Sequence, residues 1–387
     1  MYRKETNAIR SQNERAEREH SVPLYLTSSF VFDDAEQARA LFADEVPGNI
    51  YTRFSNPNAN EFVDKMCQLE DAEDGLATAS GMSAVFTSIA GLLRAGDHLL
   101  ASRALFGSSV QILTQILPRF GITFDYVDAT DLSAWETLVR PTTRMLFLET
   151  PSNPGLELVD LEVAGAFARR HGLVLNVDNC FATPYIQTPI ASGAHIVTHS
   201  ATKWIDGQGR GVGGVILGRK DLIKELRFFA RHTGPAMSPF NAWMFSKSLE
   251  TLAVRMKAHC GQAMELASRL EVHPAVDWVR YPHLPSHPQF ELAKRQMAMG
   301  GGLLSFNIRG GLESGRAFLN ALQLLSHTAN LGDTRTIATH PASTTHSKLS
   351  EDDRLRVGIH PGMIRISAGL EHLEDLWADI AQALDAI

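Results

Sequence analysis

Between Glu61 and Lys203 the chain alternates helix-period and strand-like segments, and this alternation restricts the fold more than any other feature. Helices are predicted near Glu61 to Glu70, at Met82 to Leu93, Ser108 to Leu117 and Leu161 to His171. Strands are predicted at Leu76 to Ala79, His98 to Ala101, Thr123 to Val127 and Arg144 to Leu148. Two further apolar runs follow, Leu173-Val174-Leu175-Asn176-Val177 and Ala194-His195-Ile196-Val197-Thr198. A βαβα order implies a largely parallel sheet covered by helices on both faces, with ligands held beyond the carboxyl ends of the strands. The last two runs deliver Asp178, Ser200, Thr202 and Lys203 to that side.

The rest of the chain reads differently. Residues 1 to 50 show charged clusters, a short apolar patch at Val22 to Leu26 and a Pro-Gly pair, with little periodicity. The aromatic residues Phe30, Phe32 and Phe42 mark this segment as an arm that docks on a surface, with a neighbouring subunit as one candidate. Residues 51 to 245 form the large α/β domain. A long helical pattern over Pro239 to Leu270 leads into a smaller α+β domain, residues 246 to 387. In it, strands are predicted at Leu303 to Ile308 and Met363 to Ser367, and helices at Leu312 to Leu325 and Leu373 to Leu384.

A lysine that follows Ser-x-Thr at the end of a buried strand can form a Schiff base with an aldehyde cofactor, because partial desolvation keeps its amine near neutral. An aspartate on the neighbouring strand end can pair with a pyridinium nitrogen and keep the ring an electron sink. Those are the two ends of pyridoxal 5'-phosphate. Ser80-Gly81-Met82 lies where a strand gives way to a helix, so the N–H groups of Gly81 and Met82 are free to hold a phosphate. Ser200 and Thr202 add hydroxyl donors. Asn153, after another strand, is placed to reach a ring hydroxyl.

Other chemistries fit less well. A net charge of -7 with no long basic run argues against nucleic acid or anionic membrane as partners and leaves a small molecule. The three cysteines, Cys67, Cys180 and Cys260, are far apart and form no zinc pattern, which suits a reducing cytoplasm. The opening residues carry no secretory apolar core, and no later run is long enough to cross a bilayer. Gly209-x-Gly211-x-x-Gly214 has dinucleotide-site spacing but precedes a strand-like run rather than a helix, so it is read as a turn. His195 and His199 would stand about 13 Å apart on a strand, too far to share a metal. His340 and His346, in a Thr/Ser-rich loop, are likewise assigned no metal.

The sequence resembles the pyridoxal phosphate enzymes of cysteine and methionine metabolism, from about Pro23 to the C-terminus. The resemblance rests on Tyr51-Thr52-Arg53 with Asn56-Pro57, Ser80-Gly81-Met82, Pro151-Ser152-Asn153-Pro154, Val177-Asp178-Asn179, Ser200-Ala201-Thr202-Lys203 and Arg365-Ile366-Ser367-Ala368-Gly369-Leu370-Glu371. It implies the type I transferase fold for such enzymes, with a seven-stranded sheet. It makes Lys203 the Schiff-base lysine and proton shuttle, Asp178 the pyridinium partner, and Ser200, Thr202, Gly81 and Met82 the phosphate ligands. Tyr51 and Arg53 would reach the cofactor phosphate of an adjacent subunit within a homotetramer, a dimer of dimers, with Tyr51 also bordering the substrate. Arg365 would clamp the substrate α-carboxylate through its planar fork.

Three departures within that family bear on the substrate. Phe106 stands where the lyases place a tyrosine on the cofactor ring; it can stack but cannot move a proton. Arg335 stands where cystathionine synthases and lyases tend to carry a glutamate that faces an ammonium group, so it favours sulfide over cysteine as acceptor. The continuation Asp206-Gly207-Gln208-Gly209-Arg210 is similar to the branch that acts on O-succinylhomoserine. The resemblance therefore implies γ-replacement of succinate by sulfide, with Arg210 or Arg335 as candidates to bind the distal succinyl carboxylate. Cystathionine γ-synthesis, O-acetylhomoserine sulfhydrylation, methionine γ-lysis and a non-catalytic cofactor-binding regulator stay open as alternatives.

Overall fold

The structure, a computed structural model, describes residues 2–12, 17–128, 131–345, 347, 350–356 and 358–387. Seven strands build the larger sheet: β1 (Asp74–Thr78), β2 (His98–Ser102), β3 (Thr123–Val127), β4 (Thr143–Glu149), β5 (Val174–Asp178), β6 (Ile196–Ser200) and β7 (Gly214–Gly218). Their order is β1-β7-β6-β5-β4-β2-β3. The run from β6 through β5, β4 and β2 to β3 is parallel, whereas β7 is antiparallel to both β6 and β1. The central strands are continuous apolar runs because helices cover both of their faces. β7 begins with Gly214, where an added Cβ would fall 2.3 Å from the Ser80 carbonyl oxygen. That glycine lets the start of β7 press against the end of β1, next to the helix Gly81–Ala90.

The local signals set the helix ends. Pro57 occupies the first turn of Pro57–Glu70 behind an Asn56 cap, and Asp160 caps Leu161–His171, which stops at a left-handed Gly172. Two predictions are corrected. The pattern over Ser108 to Leu117 is a short helix, Gly107–Gln111, then a wider turn, Ile112–Ile116, and a tight one, Leu117–Phe120, where Pro118 cannot continue a ladder. The pattern over Pro239 to Leu270 is two helices, Pro239–Leu249 and Leu252–Glu271. At the break, the Ser248 carbonyl accepts from Arg255 at 3.0 Å, from the Thr251 hydroxyl at 3.2 Å and from the Thr251 N–H at 3.2 Å, a tighter turn than the helix ladder. Residue 245 lies inside the first of these helices.

Beyond them, β8 (Val276–Arg280), β9 (Leu303–Ile308), β10 (Ser326–His327), β11 (Ile337–Thr339) and β12 (Met363–Ser367) form a second sheet in the order β10-β11-β12-β9-β8. Helices Gly311–Ala321 and Leu373–Asp385 complete its core through Phe318, Leu376 and Ile380. A separate core, holding Phe62, Trp204, Phe245, Met256 and Leu331, lies between helices of both parts and the segment after β6.

The first 50 residues are not featureless. They contain helices Lys4–Arg10 and Ala35–Phe42, and the intervening chain docks on the large domain: Val22 accepts from the Trp243 indole at 3.0 Å and the Tyr25 N–H donates to Asn58 at 2.8 Å. Leu26, Val31 and Phe42 remain exposed. No helix among the described residues is long and apolar enough to cross a membrane. Cys67, Cys180 and Cys260 are free thiols.

Candidate active site

Three neighbouring strand ends face one place. β4 ends in Glu149, β5 in Asp178 and β6 in Ser200, and Glu149 and Asp178 are register partners. Asp178 accepts the Cys180 N–H at 3.0 Å through Oδ1. Burial pushes its carboxyl up to about 6, against the favourable Cys180 N–H and the nearby His199. Glu149 is buried and raised further, first by burial and then by the charge of Asp178; the main-chain N–H groups of Phe106 and Asn153 oppose this. The Phe106 N–H lies 2.7 Å from its Oε2. Sequence reasoning missed Glu149, although its position at a strand end beside Asp178 was a usable signal.

Lys203 follows β6 on a turn that the next residue anchors. Trp204 is fully buried, and its ring lies 4.8 Å from that of His259. The Arg255 guanidinium donates to the Trp204 carbonyl at 2.6 Å and to that of Ile205 at 3.1 Å. The Lys203 amine donates to Asn330 Oδ1 at 2.6 Å. Burial lowers its pKa, with the Arg365 charge adding to this and Cys180 opposing it. Asn330, from the smaller part of the chain, is a second residue missed from sequence, since nothing local distinguishes it from a loop asparagine.

The helix start read as a phosphate cradle is open toward the end of β6. Ser80 caps helix Gly81–Ala90 reciprocally with Ser83, which leaves the Gly81 and Met82 N–H groups ahead of the first intrahelical acceptor. A Cβ on Gly81 would lie 2.5 Å from Ser200 Cβ, so glycine alone lets Ser200 approach the helix start. The Thr202 hydroxyl behaves otherwise: it accepts from the Gly213 N–H at 3.1 Å and donates to the Gly213 carbonyl at 3.3 Å. These contacts brace the turn.

Arg365, on β12, is buried and donates to Asn153 Oδ1 at 2.8 Å, to the Asn330 carbonyl at 3.1 Å and to Thr339 at 3.4 Å. No carboxylate faces it among the described residues, its Nε is buried without a partner, and burial pushes it down to about 10. A buried guanidinium short of an anion is chemically suited to take a carboxylate. Asn153 therefore orients Arg365, and its amide N–H₂ is left for another acceptor.

Arg210 and Arg335 are each already paired. Arg210 meets buried Asp206 at 2.9 Å and Ser248 at 2.5 Å. Arg335 lies across both oxygens of Asp333, at 2.8 and 2.9 Å, and reaches the Gln208 carbonyl at 3.1 Å. The two arginines thus hold the turn after Lys203 from opposite parts of the chain. Tyr51 and Arg53 pack on Phe54, and Arg53 also bonds the Arg231 carbonyl; among the described residues neither touches the strand ends. The glycine-rich stretch 209–214 runs into β7 as a turn. His199 bonds Glu70 at 2.7 Å, and His195 accepts the Leu175 N–H at 2.9 Å. His340 meets Ser343 and the Pro361 carbonyl, while His346 lies outside the described residues.

The residues fit pyridoxal phosphate. A half-buried acid that forms no salt bridge among the described residues, an open helix start that a Cβ would close and a lysine with a depressed pKa match its nitrogen, phosphate and aldehyde in turn. Residues 5–385 match the family described as Cys/Met metabolism PLP-dependent enzyme. The chain is 48% identical over 384 residues to the O-succinylhomoserine sulfhydrylase of Pseudomonas aeruginosa, covering 99% of this chain and 95% of that one. It is 42% identical over 370 residues to the L-methionine gamma-lyase of Porphyromonas gingivalis, covering 95% and 93% respectively. Among solved structures, a putative O-acetylhomoserine (thiol)-lyase from Campylobacter jejuni, carrying a pyridoxyl-lysine phosphate, superimposes with a TM-score of 0.95 at 33% identity, over 99% of this chain and 100% of that one.

Proposed function

The chain belongs to the Cys/Met metabolism family of PLP-dependent enzymes, and on that premise we propose that it converts O-succinyl-L-homoserine and sulfide into L-homocysteine and succinate, a step of methionine biosynthesis. The observation that carries this reading is the 48% identity, across 99% of the chain, to an O-succinylhomoserine sulfhydrylase. Phe106 at the stacking position and Arg335 near the Lys203 turn agree with it.

Bound pyridoxal phosphate supplies a ring that takes up the negative charge left when the amino acid loses its Cα proton. The chain's residues do the rest. Asp178 holds a proton at the ring nitrogen, and the Gly81 and Met82 N–H groups with Ser200 bind the phosphate. Phe106 covers the ring face. Arg365, steadied by Asn153, fixes the α-carboxylate and so aims the Cα–H bond at Lys203. The Lys203 amine, whose pKa burial lowers, removes the Cα proton and later serves at Cβ. Succinate then leaves Cγ, sulfide adds there, and the protons return.

Arg335, exposed at 63%, is the better placed of the two arginines to meet the distal succinyl carboxylate, because Arg210 is drawn onto buried Asp206. If alanine at both positions leaves the preference for the succinyl over the acetyl ester unchanged, that assignment is wrong. Tyr51 and Arg53 complete the site of a second copy in a homotetramer built as a dimer of dimers. Leu26, Val31 and Phe42, exposed on the same arm, supply the apolar surface for this contact. Mixing two separately inactive variants, Lys203→Ala and Arg53→Ala, tests it: each hybrid dimer holds one intact site of two, so an equimolar mixture regains about a quarter of wild-type activity. The cytoplasm suits three free thiols.

The acceptor decides between this reading and its nearest rivals. Purified protein is given O-succinylhomoserine with sulfide or with cysteine, and the products are separated. Homocysteine as the main product supports the proposal; cystathionine overturns it. Release of methanethiol from methionine would favour the activity named for the 42% relative.

A further inference from the structure

Glu149 is the least explained group near the strand ends. It is buried, it closes β4 directly beside Asp178, and no lysine, arginine or histidine pairs with it among the described residues. Its carboxyl instead collects main-chain N–H groups from two separate loops. One is Phe106, at 2.7 Å, on the loop that opens helix Gly107–Gln111; the other is Asn153, on the loop that follows β4. Those loops carry the ring that would cover the cofactor and the asparagine that steadies Arg365. An acid with no counter-ion beside a second acid is a costly feature unless its bonds serve something.

We propose that Glu149 is a positioning residue for the cofactor: it ties the Phe106 and Asn153 loops to the end of β4, so that the stacking ring and the asparagine sit in one frame with Asp178. Burial and the neighbouring Asp178 both shift this carboxyl toward its neutral form. A neutral carboxyl and a carboxamide have nearly the same shape and share a carbonyl acceptor. Glutamine should therefore replace Glu149 without loss, whereas leucine, of similar volume but with no acceptor, should release both loops.

This inference rests on the cofactor placement proposed above but not on any choice of substrate, so it is tested by cofactor uptake alone. Apoenzyme of the wild type, Glu149→Gln and Glu149→Leu is titrated with pyridoxal phosphate. Affinity, the visible circular dichroism of the bound cofactor and the apoenzyme melting temperature are recorded. The expected result is an affinity within about threefold of wild type and an unchanged dichroic band for E149Q. For E149L the affinity falls at least about tenfold and the band shrinks or changes sign. Wild-type affinity and dichroism in E149L overturn the proposal. So does equal damage in E149Q and E149L, which would assign the role to charge. If E149L does not fold, E149Q and Glu149→Asp decide: the shortened acid cannot span both loops, so an intact dichroic band in E149D refutes the inference. Failure of wild-type apoenzyme to take up the cofactor would instead strike the placement on which the inference stands.

Discussion

The Lys203 amine donates to the side-chain oxygen of Asn330 at 2.6 Å, while the main-chain oxygen of the same asparagine accepts from Arg365 at 3.1 Å. One residue of the smaller part of the chain therefore contacts both the proposed base and the proposed carboxylate clamp. Replacing Asn330 with alanine leaves the amine without its acceptor. We expect kcat to fall roughly three- to tenfold, as for a lost hydrogen bond between neutral groups, with cofactor content unchanged. Steady-state kinetics beside the visible spectrum checks this.

Arg365 has a different signature. Lysine in its place keeps the charge but loses the two-pronged geometry and leaves Asn153 and Asn330 unmet. KM for the amino-acid ester should rise at least about thirtyfold, and cofactor affinity should hold. A KM close to wild type in Arg365→Lys would remove the residue from substrate binding.

Gly81 is predicted to tolerate no side chain. Alanine would place its Cβ 2.5 Å from that of Ser200 at the helix start. Either Ser200 or the helix must move, and the cradle loses its shape in both cases. Cofactor affinity in Gly81→Ala should drop by about tenfold or more, measured by titration of the apoenzyme, with less change in the melting temperature of the cofactor-free chain.

Asp178 links the cofactor-free protein to pH. Its folded pKa, about 6, stands above the ordinary 3.8. Between these values the folded chain binds more protons than the unfolded one, so this group's contribution to stability falls as pH rises through that window. Glu149, also raised, acts in the same direction. Asparagine at 178 cannot ionise, so the apoprotein of Asp178→Asn should lose less stability than wild type between pH 4 and pH 7. Urea unfolding at several pH values reads the difference in slope, and parallel curves would contradict it.

Much of this could be read from residue order. Thr123–Val127, Leu161–His171, Leu303–Ile308 and Met363–Ser367 stand where period and caps place them, because their signals are local. Lys203 and Asp178 were legible because strand ends deliver them. Asn330 was not, and the strand-end position of Glu149 did not reveal its role: their partners are 127 and 43 residues away along the chain. The same holds for the break at Glu250 and Thr251, where Arg255 takes the Ser248 carbonyl. The short strands β10 and β11 also exceed local signals, since pairing of β11 with β12 and of β10 with β11 defines them. The contacts of Thr202 with Gly213 were not legible either, since that partner lies 11 residues away.

The Arg335 to Asp333 pair limits how such a chain can change its acceptor. Asp333 is buried, with one oxygen so close to Gly209 that a Cβ there would meet it at 2.5 Å. Exchanging Arg335 for the glutamate of related synthases and lyases would set two acids side by side and strand Asp333 without its cation. The turn after Lys203 would lose its brace at the Gln208 carbonyl in the same step. A mutational route from sulfide to cysteine must therefore alter 333 and 335 together, and variants carrying only one of the two changes would lie in a valley of poor folding.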